Sequence, residues 1–174
     1  MRHTLWIGDQ QIGETHFELR TVGARRAGMF RPTDFGRNVL PGITDMFPAL
    51  IAFGELCRRE GVDVNDDSPE SASAALDTFG GTAEGQRVIS AAKRISAITV
   101  RDAAGRTIHW ESLAISDLEL LAKLAAKQKP GNRAVVASPP GSGSYVVSLT
   151  LARADRSLPD PQHFGAQRRE SAPH

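Results

Sequence analysis

One short string occurs twice in this chain and constrains its fold more than any other feature. Asp9 is followed seven residues later by His16-Phe17-Glu18, and Asp102 is followed seven residues later by His109-Trp110-Glu111. In each copy, polar turn residues and a nearby glycine accompany a segment in which apolar and polar side chains alternate, a pattern typical of a β-hairpin. The sequence therefore predicts two equivalent hairpins.

The same alternation predicts the remaining strands and, with them, the fold class. Strands are expected at 4–7, 13–20, 26–31, 98–102, 107–115, 134–137 and 145–152. Because hairpins dominate, we expect an α+β single domain over residues 1–153. Its mainly antiparallel sheet is built from two hairpin units plus a C-terminal strand, with helices packed on one face. Residues 154–174, rich in proline and charge, are predicted to form a disordered or draped tail.

Capping signals predict where the helices begin. Residues 33–44 are expected to form a short turn of helix and a loop, after which Asp45 caps a long helix. The apolar stripe of that helix is expected to be its buried side, and it contains Met46, Leu50, Phe53 and Cys57. Further helices are predicted to start at Pro69, with its end near Phe79, after Thr82, and after a capping box of Ser116 and Glu119.

The composition is that of a globular protein with little net charge. Of 174 residues, 40% are hydrophobic and 24% are charged, which argues against wholesale disorder. The 21 Lys and Arg residues nearly cancel the 20 Asp and Glu residues, so nucleic acid is not an expected partner. No apolar run reaches the ~20 residues of a membrane span, and the N-terminus lacks the apolar core of a secretory signal. We therefore expect no membrane association and a cytoplasmic location.

The doubled string also permits one chemical hypothesis. Residues two apart on a strand point the same way, so His16 and Glu18 would project together, as would His109 and Glu111. If the two strands were neighbours, these four side chains could form an acid/base cluster or bind a divalent metal; no other cofactor is expected. The simpler interpretation is that they are the solvated faces of two amphipathic strands. In the second copy Leu113 and Ile115 share the His109 face, which predicts a bulge or a strand covered on both sides.

The N-terminal segments LWIGDQQIGETHFELR and AGMFRPTDFGRNVLPGITDMF carry a resemblance to a group of proteins. They are similar to small uncharacterised bacterial proteins with an IGxxxIGE hairpin, a strand ending in FxPT and a helical segment. The helix, strand, DxxGR turn and strand of residues 88–115 resemble the ends of those proteins. This chain differs from them in the acidic segment 62–82 and after Arg153. The resemblance implies a bacterial origin and transfers no activity or catalytic residue.

No local catalytic signature appears, and this favours a non-enzymatic function. We expect a protein-interaction or binding module that holds a protein partner or a second copy of itself through the sheet face or edge; the sequence leaves open whether it also binds a small molecule. A metal-dependent or acid/base enzyme that uses His16, Glu18, His109 and Glu111 is the first alternative. An antidote-type protein that blocks a toxin or phage component is the second.

Overall fold

The structure is a computed structural model that describes residues 1–19, 23–62, 69–128 and 145–152. The strand predicted at 134–137 and the tail predicted from residue 154 lie outside the described residues.

The described residues form seven strands and five helices. The strands are β1 (His3–Ile7), β2 (Gln10–Thr15), β3 (Arg25–Pro32), β4 (Ile98–Arg101), β5 (Thr107–Ile108), β6 (Trp110–Asp117) and β7 (Tyr145–Leu151). The helices are α1 (Asp34–Thr44), α2 (Met46–Arg59), α3 (Pro69–Phe79), α4 (Ala83–Ser96) and α5 (Leu118–Gln128). This mixture of helices and one sheet confirms the predicted α+β class.

All seven strands belong to one sheet with the order β5-β4-β1-β2-β3-β7-β6, and each pairing in it is antiparallel. β5 and β6 stand at opposite ends of this order, yet His109 alone separates them in sequence. Two ends joined by one residue must lie close together, so the sheet curls until its ends meet. The backbone amide of Ala152, just after β7, donates to the His109 carbonyl at 3.0 Å and so stabilises the connection between β5 and β6.

The inner face of the curled sheet holds the main hydrophobic core. Its buried residues include Leu5, Ile12, Phe30, Val100, Ile115, Val147 and Leu149. α1 contacts β2, β3 and β6 and adds Leu40 and Ile43 to this core. A second cluster lies among α2, α3 and α4, and the predicted burial of Cys57 in it is confirmed. Two apolar clusters, both contacted by Met46, therefore connect α1–α4 to the sheet.

α2 begins directly after Asp45, as predicted, but α1 and the capping of α2 differ from the prediction. Thr33 caps α1, its hydroxyl accepting from the Gly36 amide at 3.0 Å, and the helix runs for 11 residues instead of one short turn. Asp45 stands at the N-cap position of α2, as predicted, but it has helical backbone angles and its side chain makes no capping bond. Its carboxylate instead binds the Arg87 guanidinium of α4, at 2.6 and 3.1 Å. The Asp45 side chain, which the sequence predicts to cap the start of α2, is instead used in an ion pair with a residue distant in sequence.

The predicted starts of α3 and α4 are confirmed, and that of α5 is corrected by one residue. α3 begins at Pro69 and ends at Phe79, and Thr82 caps α4 with its hydroxyl accepting from the Gly85 amide at 3.1 Å, as predicted. Asp117, not Ser116, caps α5, because its carboxylate accepts from the Glu119 and Leu120 amides. Ser116 is still within β6, paired with Val146, so it cannot adopt the cap geometry.

One helical stretch, Asp34–Arg59, is long and apolar enough by length and composition to cross a membrane. The sequence expectation missed it because it counted unbroken apolar runs and took residues 33–44 as a short turn of helix and a loop. Core helices satisfy the same criterion, and this stretch supplies Leu40 and Ile43 to the sheet core and Phe53 to the second cluster. Of the 18-residue window that meets the criterion, 28% is buried inside the protein.

Candidate functional site

The four residues singled out in the doubled string are all exposed, but neither copy lies on the regular strand that was predicted. β2 ends at Thr15, so His16 and Glu18 lie beyond the ladder. His109 is the gap between β5 and β6, and Glu111 lies at a register shift between Trp110 and Ser112. Each copy of the string therefore marks a place where strand pairing is interrupted.

The first interruption turns the aromatic residue into the core. Phe17 has a φ of 50°, a left-handed conformation that is uncommon for residues other than glycine. Its amide approaches the Thr15 hydroxyl at 3.4 Å, and its side chain is 4% exposed within the main core. Gly28 on β3 permits this path, because a Cβ there would lie 2.6 Å from the Phe17 nitrogen. The inward turn of Phe17 thus depends on a glycine opposite it.

The Glu18 side chain replaces part of the lost ladder. One carboxylate oxygen accepts from the Met29 backbone amide of β3 at 3.1 Å. One residue later an isolated bridge links the two segments, where the Leu19 amide donates to the Ala27 carbonyl at 3.0 Å. Glu18 therefore acts as a structural acceptor at this bulge, which accounts for a carboxylate at this position without catalysis.

The second interruption changes which residues face the core. Ile108 of β5 is buried, whereas on β6 the buried positions are Leu113 and Ile115, which have the opposite parity. The extra residue near Glu111 accounts for this change, as the predicted bulge requires. Trp110 is half-buried against the core and pairs with Leu151. This bulge lets one nearly continuous segment pair with β4 before His109 and with β7 after it.

The two copies do not converge on a metal site. β1 and β4 stand between β2 and β5 in the sheet, so the strands of the two strings are not neighbours, which was the condition of the metal hypothesis. Within residues 1–19, 23–62, 69–128 and 145–152, no three His, Cys, Asp or Glu side chains are grouped so that they could hold one ion. The described geometry thus does not supply the convergence on which the metal hypothesis depends.

The first residues of the two strings, Asp9 and Asp102, also have different surroundings. Asp9 is exposed in a two-residue turn with Gly8, between the paired residues Ile7 and Gln10. Asp102 is buried at the base of a longer turn, where one carboxylate oxygen accepts from the Ala104 and Arg106 amides, each at 2.9 Å. The Arg106 backbone bond, with further help from its guanidinium at 2.7 Å, holds the pKa of Asp102 below its ordinary value.

His3 is a residue near both strings that the sequence interpretation missed. On β1, which lies between β2 and β4, it pairs with Thr15, while the next residue, Thr4, pairs with Arg101. Its ring meets the Phe17 ring edge to face, with centroids 4.8 Å apart. Burial lowers the pKa of His3, and the nearby Asp102 carboxylate opposes this shift. The only sequence feature that could have indicated its burial is the alternation along β1, which places His3 on the same face as the buried Leu5.

The exposed side of α2 carries apolar residues that were predicted to be buried. Phe47 and Leu50 are each 46% exposed, so the expectation that Leu50 belongs to the buried stripe is wrong. The helix instead buries Ala49, Phe53, Leu56 and Cys57. The small residue Ala49 was not counted in the predicted stripe, and with it the buried side rotates away from Leu50. α2 thus presents a second apolar face outward.

Comparisons of the chain with known protein families, with curated proteins and with solved structures find no match. Functional inference therefore depends on the geometry of the described residues.

Proposed function

We propose that this chain is a non-enzymatic protein-interaction module of the bacterial cytoplasm and that it associates with a second copy of itself through the outer face of α2. The observation that carries this proposal is the exposure of Phe47 and Leu50, 46% each, on a helix whose opposite side is already buried. Adjacent large apolar side chains on a surface are typical of an interaction site.

The residues of this surface have the spacing of a helix-packing face. Phe47, Leu50, Ile51 and Gly54, hereafter the α2 face, follow the i, i+3, i+4, i+7 pattern. A Cβ at Gly54 would have no atom within 4 Å, so the helix backbone there borders open space. The α2 face therefore combines two projecting side chains with one recess.

Two copies of the α2 face complement each other. Most homodimers have a two-fold axis, so the same patch meets itself. If two α2 helices cross antiparallel with the axis near Leu50 and Ile51, Phe47 of each copy falls opposite Gly54 of the other. The aromatic ring then fills the recess, as ridges pack into grooves between helices. This complementarity favours a second copy of the chain over an unrelated partner.

The test is the mass of the protein in solution by sedimentation and light scattering. The wild-type chain is expected to dimerise, and the double variant Phe47→Ser/Leu50→Ser is expected to be monomeric with an unchanged circular dichroism spectrum. Gly54→Leu fills the recess and is expected to weaken the dimer, although leucine suits a helix better than glycine does.

A matched control removes an exposed apolar side chain elsewhere. Met29 on β3 is 38% exposed, and Met29→Ser is expected to leave the dimer intact. A wild-type chain that is monomeric at high micromolar concentration would contradict the proposal. So would a dimer that survives both the double substitution and Gly54→Leu.

A further inference from the structure

A groove between α4 and the α1–α2 junction contains two adjoining pockets that share Arg94. The first, about 280 Å³, is lined by Ile7, Val39, Ile43, Lys93, Arg94 and Ala97. The second, about 250 Å³, is lined by Gly42, Asp45, Gln86, Arg87, Ser90, Ala91 and Arg94. Neither pocket includes a residue of the α2 face, so the groove is a separate feature.

The first pocket has an apolar floor. Ile7 ends β1, Val39 and Ile43 come from α1, and Ala97 follows α4. A cavity of about 150 Å³ is enough to hold benzene in an apolar protein interior. At about 280 Å³ this pocket has room for an aromatic ring or a short alkyl chain.

One of the three basic side chains of the groove is paired with a carboxylate, and the other two are not. Arg87 is neutralised by Asp45, with its Nη2 atom 2.6 Å from the carboxylate. Among the described hydrogen bonds and ion pairs, neither the Lys93 ammonium nor the Arg94 guanidinium takes part. The free positive charge therefore lies at the rim of the apolar pocket, and the ion pair closes the other end.

Gly42 places the Arg94 guanidinium. A Cβ at Gly42 would lie 2.6 Å from Arg94 Nη1 and 2.7 Å from Cζ, so the guanidinium lies directly against the α1 backbone. A larger residue at this position would displace it from the boundary between the two pockets. Arginine donors in a planar fork match carboxylate and phosphate oxygens in pairs.

We propose that this groove binds a small organic anion, with its apolar body over Ile7, Val39 and Ile43 and its carboxylate or phosphate head on Arg94 and Lys93. The apolar floor and the unpaired cations at its rim together specify this chemistry. The Asp45–Arg87 ion pair leaves no net positive charge at the far end of the groove, so the anionic head is directed to Arg94 and Lys93.

The proposal is tested by calorimetric titration of the full chain with octanoate and with phenyl phosphate. Saturable binding of at least one is expected. The double variant Lys93→Gln/Arg94→Gln should weaken it by about tenfold or more, because charge-assisted hydrogen bonds are lost. Ala97→Leu, which fills the apolar pocket, should weaken binding while the charges remain. Lys123→Gln removes an equivalent exposed charge from α5 and should leave binding unchanged.

Several outcomes would overturn the proposal. Failure of both probes to saturate the folded wild-type chain would overturn it, and so would a Lys93→Gln/Arg94→Gln variant that binds as tightly as the wild type. Inorganic phosphate that binds as tightly as phenyl phosphate would show that the apolar pocket does not contribute. A double variant that changes the oligomeric state and not probe affinity would assign the groove to an acidic side chain of a second copy. Dimerisation through the α2 face is measured separately, so either proposal can fail alone.

Discussion

The first hairpin, β1–β2, and the second, β4–β5, carry the same string and use it differently. In the first, the aromatic Phe17 turns inward at a left-handed residue, and Glu18 bonds to the neighbouring strand. In the second, Trp110 is half-buried at the start of β6, and the ordered element is the turn around Asp102. A short string can therefore predict a hairpin without predicting which of its residues carries the structure.

The difference follows from what each strand meets after the string. β2 has β3 beside it, and the chain returns to that same neighbour at Leu19 after the interruption. β5 leaves β4 after two residues, and β6 then pairs with β7 at the other end of the sheet. The interruption after β2 is local, because the chain pairs with β3 on both sides of it. The interruption between β5 and β6 instead connects the two ends of the curled sheet.

The largest expected effect tests the aromatic members of the two strings. Phe17→Ala should lower the free energy of unfolding by about 3–5 kcal/mol, since a fully buried aromatic ring is deleted from the core. Trp110→Ala should lower it by about 1–2 kcal/mol, because Trp110 keeps part of its surface in solvent. Urea denaturation of both variants measures the two values. Equal losses would contradict the structural distinction between the strings.

The second expected effect tests the aspartates that begin the strings. Asp102→Ala leaves the Ala104 and Arg106 amides without their acceptor and should clearly lower the melting temperature. Asp9→Ala removes an exposed turn carboxylate and should change the melting temperature little. Asp102→Asn, which keeps an acceptor oxygen but not the charge, should fall between them. A similar effect of Asp9→Ala and Asp102→Ala would show that the two turns are equivalent after all.

The sequence predicted the helices and strands of this fold well where buried residues recur regularly along the element. In β7, simple alternation places Val147, Leu149 and Leu151 on one face of the strand, and all three are buried. The start of α3 at Pro69 and the Thr82 cap depend on side-chain chemistry within one turn, and both were confirmed. The bulge of the second copy could be predicted because the change of parity from Ile108 to Leu113 is visible in the sequence.

Features that depend on distant residues were not predictable from these local signals. Asp45 is a good local cap, but Arg87, 42 residues later, binds its carboxylate. Phe17 follows a strand pattern, yet its path depends on Gly28 across the bulge. The α2 face was missed because apolar side chains occur on both sides of that helix, and only packing decides which side is buried. The metal hypothesis likewise required two strands to be neighbours, and strand order is a property of the whole sheet.

The smallest expected effect is a pH dependence that separates the two hairpins. Burial lowers the pKa of His3, so the unfolded chain takes up a proton near the ordinary value of 6.5 before the folded chain does. The stability that His3 contributes is therefore full above about pH 6.5 and is lost as the pH falls through its lowered folded-state pKa. Asp102, whose folded pKa is also lowered, contributes stability that is full above 3.8 and is lost only below that value.

Urea denaturation at a series of pH values, from 7.5 down to 3, distinguishes these two windows. His3→Gln should flatten the decline below pH 6.5 and leave the acid decline of Asp102 in place. Asp102→Asn should flatten the decline in stability below pH 3.8. It should also steepen the decline below pH 6.5, because the Asp102 charge now raises the pKa of His3 and its removal lets that pKa fall further. If His3→Gln retains the wild-type slope between pH 6.5 and 5, His3 is not the group that couples the first hairpin to pH.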